Sequence, residues 1–96
     1  MAKGYVIASV TVQDDVAYKR YADLARDAMA KHGARILARG GRYEALEGNA
    51  RQRNVILEFE SFEAARRYWS SSEYQLARTH RIGAAEIDLC LVEGVT

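Results

Sequence analysis

The 96-residue chain has no proline, one cysteine and one tryptophan, and its formal charge is only +1. Each scarcity excludes something. With no proline and only seven glycines, no Pro-rich tail or Gly-rich linker divides the chain, and a single domain over residues 1–96 is expected. The lone Cys90 excludes an internal disulfide framework and suits a reducing compartment. Its place in the apolar run IDLCLV predicts a small hydrophobe of the core. Near-zero charge supplies no field to gather nucleic acid or a membrane surface. No apolar run approaches the ~20 residues of a membrane-spanning helix, and the N-terminus lacks a small-residue cleavage pattern. A cytoplasmic protein with neither nucleic-acid nor membrane partners follows. No histidine, cysteine or carboxylate spacing suits a metal, and neither a phosphate-cradling loop nor a nucleophile elbow occurs. No metal or cofactor is therefore expected.

What is present is a globular composition, 49% hydrophobic and 28% charged, with six tyrosines among nine aromatics. Charge is unevenly spread. Arg35, Arg39, Arg42, Arg51 and Arg53 face only Glu44 and Glu47 over residues 35–53, whereas acids outnumber arginines from residue 54 onward.

The order of elements is legible from periodicity. Tyr5–Val12, β-branched and uncharged, predicts a strand with Val6, Ala8, Val10 and Val12 on one face. Asp14 or Asp15 caps a helix over Val16–His32, whose stripe is Tyr18, Tyr21, Ala22, Ala25, Ala28 and Met29. Gly33 suits its left-handed stop. Ala34–Leu46 predicts a long strand interrupted at Gly40-Gly41, where a bulge or a close backbone approach is expected. Residues 47–50 reverse the chain into a returning strand, Arg53–Glu60. Its Val55, Leu57 and Phe59 share one face; Asn54, Ile56, Glu58 and Glu60 share the other. Ser61 caps a helix Phe62–Trp69 with Phe62, Ala65 and Trp69 inward, and the capping box Ser70-x-x-Glu73 starts another short helix near Ser71. After Gly83, Glu86–Glu93 is the last strand, with Ile87, Leu89 and Leu91 opposite Asp88, Cys90 and Val92.

This β-α-β-β-α-β order, with an extra helical turn, predicts an α+β, ferredoxin-like fold: a four-stranded antiparallel sheet with helices on one face. The uncovered face would carry Ile7, Ile36, Ile56 and Val92 mixed with Glu58 and Asp88. Such an apolar face is costly in water, so two copies are expected to pack face to face as a homodimeric α+β barrel.

Candidate chemistry is built from parts. Glu58, on the mixed face, is a candidate general base or the structural partner of Arg39 or of an arginine across the dimer. Arg39, Arg42, Arg78 and Arg81 can form a forked anion clamp or plain salt bridges. Tyr18, Tyr21, Tyr68, Trp69 and Tyr74 either line a pocket or fill the core. The site so assembled has Glu58 as catalytic group, Arg39 and Arg78 for an anionic group, and Tyr18, Trp69 and Tyr74 as wall. An enzyme on a small organic acid or aromatic compound is one reading; a non-catalytic ligand-binding or structural homodimer is the alternative.

Several segments, in order, resemble the domain-of-unknown-function family numbered 1330: AYxxY at residues 17–21, GARILARGGRYEALEG, RNVILEFESFEAARRYW, SSEYQLAR and DLCLVEG. The resemblance implies membership of the dimeric α+β barrel superfamily. It implies no catalytic residue, because that family has no established activity. Ala50-Arg51-Gln52 stand where many relatives have a Trp-containing turn.

Overall fold

The computed structural model describes residues 1–96. Its elements are β1 (Gly4–Val12), α1 (Asp15–Lys31), β2 (Arg35–Arg39), β3 (Arg53–Phe59), α2 (Phe62–Ser70), α3 (Ser72–Arg81) and β4 (Ala85–Glu93). The four strands form one antiparallel sheet in the order β2-β3-β1-β4. The two inner strands are β3 and β1, and β1 is the chain's least polar strand. Alternation governs it as expected: Val6, Ala8 and Val10 are buried, while Ile7 is 40% exposed. From β3, Val55, Leu57 and Phe59 join them, and all three helices cover this one face. Fully burying a side chain such as Leu57 or Phe59 contributes about 1.5–3 kcal/mol. The molecule is only 17 Å thick along its shortest axis, the depth of a sheet plus one helical layer.

Helix boundaries follow from their caps. The Asp14 carboxylate accepts from the Ala17 amide at 3.1 Å, and His32 closes α1 through bonds to the Ala28 and Ala30 carbonyls. Ser61 accepts from the Ala64 amide at 3.0 Å. Directly opposite, Gly4 must be glycine: a Cβ there would lie 2.6 Å from the Phe62 Cα and closer still to the Ser61 carbonyl.

Four expectations are corrected. The α2–α3 junction is capped by Ser71 and not Ser70: the Ser71 hydroxyl accepts from the Tyr74 amide at 3.1 Å and donates to the Tyr68 carbonyl at 2.6 Å. Ser70 instead donates to the Arg66 carbonyl within α2. The buried aromatic of α2 is Tyr68, 1% exposed, because Phe59 and Tyr74 stack against it at 5.1 and 5.0 Å; Trp69 is left on the flank. The strand expected over Ala34–Leu46 ends at Arg39, and residues 40–50 are exposed without strand pairing. Finally, Cys90 is exposed and not in the core of the single chain.

The bulge falls at Leu37, between the pairs Ile36↔Leu57 and Ala38↔Ile56, and not at the glycines. Its consequence is a change of face. Ile36 shares the helix side with Leu57, and Arg39, paired with Val55, also turns to that side. Gly40 provides the close approach instead. Its φ is +66° and Arg53's guanidinium lies where a side chain would be, 2.9 Å from the ideal Cβ position to Cζ.

Candidate functional site

A cavity lies between the sheet and the helices, walled by Val6, Ala8 and Val10 of β1, Val55 and Leu57 of β3, Ile87 and Leu89 of β4, and the inner face of α1. Tyr18, Tyr21, Tyr68 and Tyr74 supply its aromatic groups, and Arg39 and Arg53 are its only charged residues. Arg39 is exposed and Arg53 half-buried, so the two arginines mark the end at which the cavity approaches the surface. The space a water centre can explore is about 30 Å³, roughly two water positions.

Helical spacing puts Tyr18 and Tyr21 side by side, with ring centroids 5.3 Å apart. The Tyr21 and Tyr74 hydroxyls are hydrogen-bonded at 2.9 Å deep in the core. Burial, helped by neighbouring tyrosines, pushes the Tyr21 hydroxyl well above the usual phenol range, and burial does the same to Tyr68. Both therefore remain neutral hydrogen-bonding groups. At the mouth, Arg53 Nε donates to the Tyr18 hydroxyl at 3.1 Å while its guanidinium sits 5.3 Å from that ring's centre. The walls contain no carboxylate, histidine or thiol. Such walls suit an apolar group with a polar edge and offer no general base to it.

The residues singled out from the sequence are sorted into three places. Tyr18, Tyr74 and Arg39 line the cavity. Trp69 and Arg78 line an outer groove, with Arg66, Arg81 and the edge of β4. Glu58 lies on the open face of the sheet, away from both. Its carboxylate accepts from the Tyr5 hydroxyl at 2.9 Å and stands 3.9 Å from Arg35. That hydrogen bond is the main reason the Tyr5 hydroxyl is shifted upward. Arg39 does not pair with Glu58, because the Leu37 bulge sends it to the other face. Asp88 is taken by Arg51, whose guanidinium bonds Asp88 and Glu86 at 3.0 and 3.1 Å and the Thr11 hydroxyl at 2.9 Å. The bonds to Asp88 and then to Glu86 raise the Arg51 pKa. Sequence reasoning missed Arg53 and Arg66. Both had a signal: Arg53 has the parity of Val55 and Leu57, and Arg66 lies one helical turn before Trp69.

On the open face, the Ile7↔Ile56 and Ile7↔Cys90 pairs form an apolar centre. It is flanked at one end by Tyr5, Glu58 and Arg35 and at the other by Ser9, Asn54, Asp88 and Arg51. The chain exposes 6410 Å², whereas a compact monomer of 10.8 kDa exposes ~5,500 Å². The excess, roughly 900 Å², is close to the ~800 Å² that each partner buries in a standard interface. No helix is long and apolar enough to cross a membrane.

Over residues 3–95 the sequence matches the family described as a domain of unknown function, DUF1330. No functionally curated protein matches it. Among solved structures, a protein of unknown function from Rhodopseudomonas palustris superposes with a TM-score of 0.76 at 17% identity, covering 99% of this chain and 84% of that one. A dimeric, ferredoxin-like protein of unknown function from Bacteroides fragilis gives 0.64 at 15% identity, with 95% of each chain covered. SnoaB, a cofactor-independent oxygenase from Streptomyces nogalater, gives 0.62 at 10% identity, covering 100% of this chain and 96% of that one. At these identities the likeness is one of fold.

Proposed function

The chain belongs to the DUF1330 family and its fold is similar to those of a dimeric ferredoxin-like protein and of an oxygenase, and on that premise we propose a homodimer whose subunits each bind a small aromatic compound between sheet and helices. The observation that carries this reading is an apolar cavity with hydrogen-bonded tyrosine hydroxyls inside and two arginines at its mouth. The ring would lie against Val6, Ala8, Leu57 and Leu89, and a single polar substituent would meet the tyrosine hydroxyls. Reaction, where it occurs, draws on the ligand's own reactivity, as the walls supply no base.

A benzene-sized ligand needs a cavity of ~150 Å³, several times the space in the closed state. Entry therefore displaces Arg53 from Tyr18 and parts Arg53 from Arg39 at the mouth, helped by the intervening residues 40–52, which have no strand pairing to lose. The dimer is supported by the thin, one-sided layering, the apolar centre around Ile7 and Ile56, and the dimeric relatives. In this reading Glu58 belongs to the interface rather than to the chemistry, and the protein works in the cytoplasm.

Two measurements test the proposal. Light scattering at micromolar concentration is expected to give the mass of two chains; a monomeric mass removes the dimer. Thermal shift with phenol and acetophenone is expected to raise Tm. A ligand at 100 times its Kd adds ~2.7 kcal/mol, or roughly 10–20 °C for a domain of this size. Ala22→Leu, filling the cavity from α1, should abolish the shift. A shift that survives this substitution places the ligand elsewhere.

A further inference from the structure

Arg81, in the last turn of α3, is the one buried charged residue, 8% exposed. Its Nε is closed off from solvent and meets no acceptor, and no carboxylate forms an ion pair with it. Its guanidinium instead sits 5.5 Å from the centre of the Tyr21 ring. Attraction to a ring face recovers only part of what a guanidinium loses on leaving water. The remainder calls for an anion.

The place for one adjoins it. Arg81 lines a groove of about 380 Å³ between α2, α3 and the β4 edge, together with Arg66, Arg78, Trp69, Ile87 and Leu89. Neither Arg66 nor Arg78 has an acidic partner, and no carboxylate lines the groove. Three arginines without an acidic partner border one space; a planar oxyanion there would gain from them, since the guanidinium fork matches its two oxygens. Trp69 and the β4 side chains add an apolar flank, which suits a ring better than a bare ion.

We propose that this groove binds a small aromatic carboxylate, its carboxylate held by Arg81 and Arg78 with Arg66 nearby and its ring along Trp69. The site is distinct from the cavity, which Trp69, Arg66, Arg78 and Arg81 do not line. Ile87 and Leu89 border both spaces, so their side chains form the partition between them.

The single tryptophan makes the test direct. Benzoate is titrated into the full chain in low-chloride buffer, and Trp69 fluorescence is followed. Saturable quenching is expected, at least tenfold weaker in affinity for Arg78→Gln and unchanged for Arg20→Gln, which is exposed and outside the groove. Benzyl alcohol, lacking the charge, should not compete, and inorganic phosphate should compete only weakly. Arg81→Met is read alongside by circular dichroism. If it does not fold, Arg78→Gln and Arg66→Gln carry the comparison. Absent quenching, phosphate binding as tight as benzoate, or equal affinity in Arg78→Gln overturns the proposal. So does an Arg78→Gln variant that shifts the monomer–dimer balance while leaving benzoate untouched, since a partner subunit would then supply the counter-charge. Cavity ligands do not touch Trp69, so failure of the cavity reading leaves this signal intact.

Discussion

Removing both hydroxyls of the Tyr21–Tyr74 pair should cost no more than removing one. The two oxygens are 2.9 Å apart in residues that are 7% and 1% exposed, and the rings meet edge to face at 6.1 Å. In Tyr74→Phe the packing of the ring is retained, but the Tyr21 hydroxyl keeps its burial and loses this partner. A buried polar group left so costs about 1–3 kcal/mol. The adjacent cavity has room for a water, which draws the value toward the low end. Tyr21→Phe is the mirror case. With both hydroxyls gone, neither group is stranded, and the double variant should lie near the wild type or close to one single variant. The cycle thus predicts a coupling of about 1–2 kcal/mol, with each single variant lowering Tm by roughly 5–15 °C. Urea unfolding followed by circular dichroism reads it, at one protein concentration throughout because the stability of the proposed dimer would depend on concentration. Strictly additive single effects, or single variants as stable as wild type, would refute the argument that this bond bridges α1 and α3.

Two further perturbations follow from the packing. The Glu73 carboxyl is held down at about 2, first by its hydrogen bond to His32 and then by Lys31 and Ser72. Because this lies below the ordinary 4.5, its contribution is complete above pH ~4.5 and is lost as pH falls toward 2. Tm should therefore fall more steeply in that window for wild type than for Glu73→Gln, and parallel curves would contradict the assignment. Gly4→Ala forces a methyl into the backbone of the α2 entry, where Phe62 Cα would be 2.6 Å away, and should cost about 1–3 kcal/mol or more in urea unfolding. Gly41→Ala, with open space around it, is the control and should change little.

The local pattern alone determined the element order, the two faces of β1, β3 and β4, the Ser61 cap, an aspartate cap at residue 14 or 15, and the inward stripe of α1. These follow from periods of two and 3.6 residues, which are properties of the chain itself. Periodicity could not choose between neighbours that satisfy it equally. Tyr68 and Trp69 are three and four residues after Ala65, and only the rings of Phe59 and Tyr74 decide which goes inside. Ser70 and Ser71 both fit a cap, and the choice rests on where α2 stops. The Leu37 bulge, set by pairing with β3, turned Arg39 from Glu58 toward the cavity. The one list of candidate residues was thereby divided among a cavity, a groove and an open face. That division is a matter of register and packing between distant segments, which no short window of sequence contains.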